Sequence, residues 1–260
     1  MPRRRLGQHF LKDSGIIRKI LAEARVGPED RILEIGPGRG ALTLPLAEAA
    51  GRVLAIELDA ELAGRLPSHP HLEVVQADIL ELDLDHLLAP YDDWKVVSNL
   101  PYYITTPILE KLLTQGKTRI AELWVMVQKE VADRMSARGT RESGALSHFV
   151  QYHAQTRTLF RVRPGSFQPP PEVDSAVVHL RVHRTPPVDA PEELLFRLIR
   201  TAFGGRRKTL RRSLAGVLPD PVPVLEAAGL DPMRRPETMV LEDFAALARA
   251  VVARRAEQPG

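Results

Sequence analysis

Short apolar runs alternate with helical patterns along the first half of this chain, and that alternation constrains the fold more than any other feature. Arg31-Ile32-Leu33-Glu34-Ile35 reads as a strand, and Ala41 to Ala50 as the helix that follows. Arg52-Val53-Leu54-Ala55-Ile56 reads as a second strand, and Ala60-Glu61-Leu62-Ala63 begins another helix. Leu72 to Gln76 is a third strand and Trp94 to Ser98 a fourth. Thr106 to Leu113 reads as a helix opened by Pro107, and a fifth strand, Leu123 to Val127, precedes helix over 129–135. Ile16 to Ala24 has helical spacing with Ser14 as its N-cap. Strands alternating with helices build an α/β fold with a parallel, doubly wound sheet. Later strands are expected at Ser147–Gln155 and Ala176–Val182.

The composition changes at Thr185-Pro186-Pro187-Val188-Asp189-Ala190-Pro191, where three prolines in seven residues read as a linker. Beyond it only helical patterns occur: Glu192–Phe203, Lys208–Gly216, Val222–Ala228 and Leu241–Arg254. The expected organisation is an α/β domain over 1–184 and a small all-helical domain over 185–260.

With 27% charged and 44% hydrophobic residues, the 260-residue chain has the composition of an ordinary globular protein. No apolar run approaches the roughly 20 residues needed to span a bilayer. The absence of Cys excludes disulfides and thiolate metal sites, fits a cytoplasmic location, and no metal is expected. The net charge is only +3, but it is unevenly spread. Residues 1–25 carry seven Lys/Arg, and Arg206-Arg207-Lys208 with Arg211-Arg212 form a second cluster. On a helix, Arg207 and Arg211, and Lys208 and Arg212, would share one cationic face suited to phosphates.

Four expected strand ends carry chemistry. Gly36-Pro37-Gly38-Arg39-Gly40 follows the first strand; glycines there let the backbone approach a ligand, and a helix N-terminus favours an anionic group. The spacing G-x-G-x-G departs from the G-x-G-x-x-G of NAD sites. Glu57 ends the second strand, where a carboxylate can accept both hydroxyls of a ribose. Asp78 closes the third, placed to accept from an adenine amino group. Each acid alone also reads as a helix N-cap. Asn99, the one asparagine in the chain, closes the fourth strand and begins Asn99-Leu100-Pro101-Tyr102. An amide there can accept from an amino group, and a ring can stack on a flat base.

The sequence Leu33 to Thr43, spanning the glycine loop, resembles the cofactor motif of the rRNA adenine dimethyltransferases. Gly7-Gln8-His9-Phe10-Leu11 is similar to that family's N-terminal lid motif, and Asn99-Leu100-Pro101-Tyr102 to its catalytic motif. Val127 to Ala132, Phe167 to Ala176 and Phe203 to Leu210 resemble its fifth-strand, proline-rich and basic C-terminal signatures. His9 stands where the family often has Asn, and Glu172 where many relatives have Lys.

The resemblance implies a Rossmann-like methyltransferase domain that uses S-adenosylmethionine. Gln8, His9, Leu11, Gly36, Gly38, Gly40, Glu57, Asp78, Ile79 and Asn99 are the implied cofactor contacts. Asn99, Leu100, Pro101 and Tyr102 form the implied catalytic turn. Phe167 is expected either to cover the target base or to anchor its loop in the core. Arg206, Arg207, Lys208 and Arg211 are expected to contact RNA. The implied activity is dimethylation of two adjacent adenosines near the 3′ end of small-subunit rRNA, by a monomer acting on an assembling small ribosomal subunit. The competing readings are a large-subunit rRNA adenine methyltransferase and a non-catalytic assembly factor on the same fold.

Overall fold

A computed structural model describes residues 9–205 and 207–257. Gln8 and Arg206 lie outside the described residues. The chain runs through β1 (Phe10–Leu11), α1 (Ser14–Ala24), β2 (Arg31–Ile35), α2 (Thr43–Ala49), β3 (Arg52–Glu57), α3 (Ala60–Ala63), β4 (Leu72–Gln76), α4 (Leu84–Leu88) and β5 (Trp94–Asn99). There follow α5 (Thr105–Thr114), β6 (Ile120–Gln128), α6 (Lys129–Ser136), α7 (Ala145–His153), β7 (Ala154–Val162), β8 (Phe167–Gln168) and β9 (Ser175–Val182). The chain then continues through α8 (Glu192–Phe203), α9 (Leu210–Leu214), α10 (Pro221–Ala227) and α11 (Leu241–Glu257).

Two compact units result. One holds the chain up to Ala132 together with Ala154–Arg184; the other holds Asp133–His153 and the chain from Thr185 onward. The division at Arg184/Thr185 falls at the proline-rich segment. The stretch 133–153, assigned above to the α/β domain, belongs instead to the helical unit.

In the first unit a seven-stranded sheet has the order β4-β3-β2-β5-β6-β9-β7. β4, β3, β2, β5 and β6 are parallel, while β9 and β7 add as antiparallel strands. Ile32, Leu33, Val53, Leu54, Val96 and Val97 are fully buried, as expected for a parallel sheet covered on both faces. β2 has β3 on one side and β5 on the other, so the winding direction reverses between β2 and β5. Such a switch point opens a crevice at the strands' carboxyl ends. Ser98 closes the base of that crevice: its hydroxyl donates to the Ile35 carbonyl at 2.6 Å and accepts from the Ile35 amide at 3.2 Å.

Three local expectations are corrected. Asp13, not Ser14, caps α1, accepting from Gly15 N at 2.9 Å and Ile16 N at 3.2 Å. Ser147–Gln155 is mostly helix α7, with β7 starting only at Ala154. Phe149, Val150 and Tyr152 suit a strand, but Ser147 and Gln151 sit one helical turn apart. Ser147 Oγ donates to Arg134 O at 2.6 Å and Gln151 Nε2 to Ala137 O at 2.7 Å, which ties this face to the end of α6. Finally, α9 covers only Leu210–Leu214. Arg207 is left-handed at φ 65° and Thr209 is extended, so the helical face joining Arg207 to Arg211 and Lys208 to Arg212 does not form. The Leu210 and Arg211 amides donate instead to Arg234 O and Pro232 O.

The second unit is a helical bundle. Leu194, Leu195, Leu198, Ile199 and Ala202 of α8 make one buried stripe against Leu210 and Leu214 of α9, Leu225 of α10, and Phe244, Leu247 and Val251 of α11.

Candidate active site

The glycine loop is shaped by a carboxylate. Gly38 N donates to Glu57 Oε2 at 3.0 Å, and Asp59 N donates to Glu57 Oε1 at 3.0 Å. Glu57 is buried at the end of β3, so it fastens the loop after β2 to the turn after β3. Gly38 has φ 60°, and a Cβ there would meet the Phe10 ring at 2.9 Å. Phe10 lies in β1, so the amino-terminal strand covers the loop at a distance that only glycine permits. Asp78 accepts from Leu80 N at 2.9 Å through Oδ1, as in an Asx turn, and Ile79 is buried beside it.

Glu34 was not assigned a role from the sequence. It is buried in β2, and its Oε2 has no hydrogen-bond partner. Burial pushes its carboxyl up to about 8; the nearby Thr43 hydroxyl opposes that, although no hydrogen bond closes between them, and the Glu57 charge reinforces it. A lone acid between Leu33 and Ile35, inside an apolar strand, was the available signal.

Asn99 ends β5 on the far side of the crevice. Its Nδ2 donates to the His9 carbonyl at 3.3 Å, which leaves Oδ1 as the free acceptor, buried and without a partner. A carbonyl can only accept, so this orientation of the amide follows from the hydrogen bond. Pro101 and Thr105 stiffen the turn, Thr105 Oγ1 donating to Pro101 O at 3.0 Å. Leu100 is buried and its amide bonds Met126 O at 3.1 Å. Tyr102 is half-buried, with its hydroxyl 2.5 Å from Ser175 Oγ. Burial raises the Tyr102 phenol, and the Ser175 hydrogen bond acts against that. His9 lies against Tyr102 with ring centroids 5.8 Å apart, and its Nδ1 donates to Pro169 O at 2.9 Å.

Residues 2–228 match the family described as ribosomal RNA adenine dimethylase. The chain belongs to that family. It is 45% identical to the ribosomal RNA small subunit methyltransferase A of Moorella thermoacetica, over 96% of this chain and 93% of that one. Identity to the protein of the same name from Acinetobacter baylyi is 44%, over 96% and 92%. Among solved structures, the 23S rRNA methyltransferase ErmE superposes with a TM-score of 0.71 at 27% identity, covering 94% of this chain and 99% of ErmE. A dimethyladenosine transferase from Plasmodium falciparum shares the fold, with a TM-score of 0.76 at 24% identity over 96% and 98% of the two chains.

Enzymes of this rRNA adenine dimethylase family use S-adenosylmethionine, and the crevice suits such a ligand. A buried amide acceptor, two carboxylates at adjacent strand ends and a loop with glycine at every second position match a group bearing hydroxyls and amines. Other family expectations sit differently. Leu11 and Phe167 pair across β1 and β8 and are both buried in the core, Phe167 at 1% exposure. Phe167 is therefore buried as the loop anchor, the second of its two expected roles, and Leu11 is a core residue of β1 beside Phe10. Arg207, Lys208 and Arg211 are exposed on the second unit but share no helical face. Glu172 is exposed.

Proposed function

We propose that this chain transfers methyl groups from S-adenosylmethionine to the N6 amines of two adjacent adenosines near the 3′ end of small-subunit rRNA. The observation that carries the reading is the buried, unpartnered Oδ1 of Asn99 at the sheet's switch point. A buried acceptor without a donor carries a desolvation penalty of about 1–3 kcal/mol, which an incoming N–H removes.

An adenine exocyclic amine is a poor nucleophile because its lone pair is delocalised into the ring. S-adenosylmethionine supplies a methyl group already activated on a sulfonium, so no strong base is needed. Asn99 Oδ1 and the Leu100 main-chain carbonyl accept hydrogen bonds from the two amine hydrogens in the first transfer and from the one that remains in the second, favouring a pyramidal nitrogen. As the S–CH3 bond breaks and the N–CH3 bond forms, the nitrogen becomes cationic and loses a proton to water. Pro101 keeps the two acceptors in fixed relation, and Tyr102, held by Ser175, offers its ring to the base. Positioning of this kind contributes several kcal/mol, with roughly 7–11 as a limit. The base leaves its stack to reach the turn, at about a few kcal/mol. Glu57 shapes the glycine loop and is offered to ribose hydroxyls; Asp78 is offered to the cofactor's adenine.

The α/β unit, up to Ala132 and again over Ala154–Arg184, carries the chemistry, and the helical unit, Asp133–His153 with the chain from Thr185 onward, recognises rRNA within an assembling small subunit. No described helix is long and apolar enough to cross a membrane; we place the protein in the cytoplasm as a monomer. Methyl transfer from labelled S-adenosylmethionine to each purified ribosomal subunit, followed by mass spectrometry of digested RNA, tests this. Dimethyladenosine is expected in small subunits that lack it. Label confined to large-subunit RNA, or cofactor binding with no methylated adenosine in either subunit, would overturn the reading.

A further inference from the structure

The seven-stranded sheet is electrically polarised along its strand order. From Glu57 to Asp93, which includes the β4 edge with α3 and α4, the sequence has ten Asp/Glu against Arg65 alone; Arg52, Arg119 and Arg31 from outside the segment pair with Glu73, Asp85 and Asp93, and acids remain in excess. From Ala154 to Pro171, the β7 edge and the turn after it, the sequence has Arg157, Arg161 and Arg163 and no acid. Helix α1 extends this positive end. Lys19 Nζ lies 4.0 Å from the centroid of the Phe160 ring, and Lys12 Nζ donates to Gln168 Oε1 at 3.3 Å. Arg18 donates to Ser14 Oγ of its own helix at 3.4 Å, and its charge also acts on the Asp13 carboxylate. The nearby acids offset part of the charge: Asp174 pairs with Arg161, and Glu23 meets Arg157 only at 4.0 Å. Arg157 and Arg161 nevertheless keep 69% and 60% of their side-chain surface exposed.

Charge on an edge strand also guards against unwanted strand pairing. That need does not choose a sign, since the other edge of this sheet is guarded by acids. The choice of cations on β7, on the following turn and on the neighbouring face of α1 therefore calls for a polyanion. The positive edge also leads to the catalytic turn. Val162, the last residue of β7, pairs with Ser175 of β9, and Ser175 Oγ is 2.5 Å from the Tyr102 hydroxyl. Arg163 follows immediately.

We propose that β7, the turn after it and the exposed face of α1 form an RNA-binding surface that holds the sugar–phosphate backbone flanking the target adenosine. This rests on the functional reading above. Lys12, Arg18, Lys19, Arg157 and Arg163 act as phosphate contacts, and the acidic β4 edge disfavours approach from the opposite side.

The test combines Lys19→Gln, Arg157→Gln and Arg163→Gln. Binding to small subunits lacking the methyl groups is measured across a salt series, with S-adenosylmethionine affinity as the control for folding. The variant should bind more weakly by at least about tenfold at low salt. Its log–log salt slope should fall by about two units, at roughly 0.7–0.9 per phosphate contact. The double variant Arg157→Lys and Arg163→Lys should keep the parent slope. An unchanged slope in the triple variant overturns the inference, as does an equal loss in the lysine variant. Loss of binding to anionic phospholipid vesicles with RNA binding intact overturns it too, assigning the surface to a membrane. A parent protein that neither binds nor methylates the small subunit fails the functional reading itself.

Discussion

Glu57 and Gly38, 19 residues apart in sequence, are joined by a hydrogen bond of 3.0 Å from the glycine's amide to Oε2, between the end of β3 and the loop after β2. The same carboxylate takes Asp59 N on its other oxygen. Glu57 therefore does two things at once: it sets the shape of the glycine loop, and it fixes the turn after β3.

Glu57→Gln should disturb both. A glutamine amide offers one acceptor oxygen, so one of the two amides would face an NH2 group instead. We expect a loss of about 1–3 kcal/mol for the buried donor left unpaired, and weaker S-adenosylmethionine binding. Chemical denaturation and calorimetry measure the two effects. Unchanged values in both would remove Glu57 from the loop's support.

Asn99→Ala should keep most of the cofactor affinity and lose most of the methyl transfer. The side chain's Oδ1 is the unpartnered acceptor, while its Nδ2 holds only the His9 carbonyl. Single-turnover transfer should fall on the order of a hundredfold or more, the scale of losing an oriented polar group in a reacting site. Transfer near the parental rate would mean that another group orients the amine.

Much of this site could be read from the chain because its parts are local. A glycine loop or an acid directly after an apolar run is visible within ten residues, and Glu57, Asp78 and Asn99 each end or follow a strand as expected. The open and mistaken readings involve distant partners. For Phe167 the sequence leaves two roles open, base cover or loop anchor, because nothing near it in sequence shows that it pairs with Leu11, 156 residues away. Helix α7 was hidden by aromatic and β-branched residues whose helical state depends on carbonyls at Arg134 and Ala137. The cationic helix face failed at Arg207, whose left-handed backbone follows the Gly204-Gly205 pair. Tertiary bonds to the 232–234 turn, not local propensity, set where α9 starts.

Glu34 gives the protein an alkaline sensitivity. Its folded carboxyl titrates near 8, above its ordinary value of 4.5. Below 4.5 it is neutral in both states and its burial is tolerated. As pH rises toward 8 the unfolded chain ionises first, so stability falls, by at most about 1.4 kcal/mol per pH unit. Glu34→Gln is neutral throughout and should lose less stability between pH 5.5 and 8. Urea unfolding of the ligand-free protein at these pH values makes the comparison. Parallel pH profiles for the two proteins would contradict the assignment.

His148 gives the helical unit the opposite sensitivity. Its ring is buried between Phe244, at 4.9 Å between centroids, and Phe203, at 5.5 Å, and neither ring nitrogen has a partner. Burial lowers its titration from 6.5 to about 4, with the Asp243 charge opposing. Above 6.5 it is neutral in both states. As pH falls toward 4 the unfolded chain takes up a proton that the folded one refuses, so stability is lost, again by at most about 1.4 kcal/mol per pH unit. His148→Phe should remove that slope and also remove two unsatisfied nitrogens, making the protein more stable at neutral pH by roughly 1–2 kcal/mol. The added ring volume works against this gain, and His148→Leu serves as the smaller alternative. Unfolding midpoints at pH 7 and pH 5 decide it. If both variants lose as much stability on acidification as the parent does, the acid-sensitive group lies elsewhere in the chain.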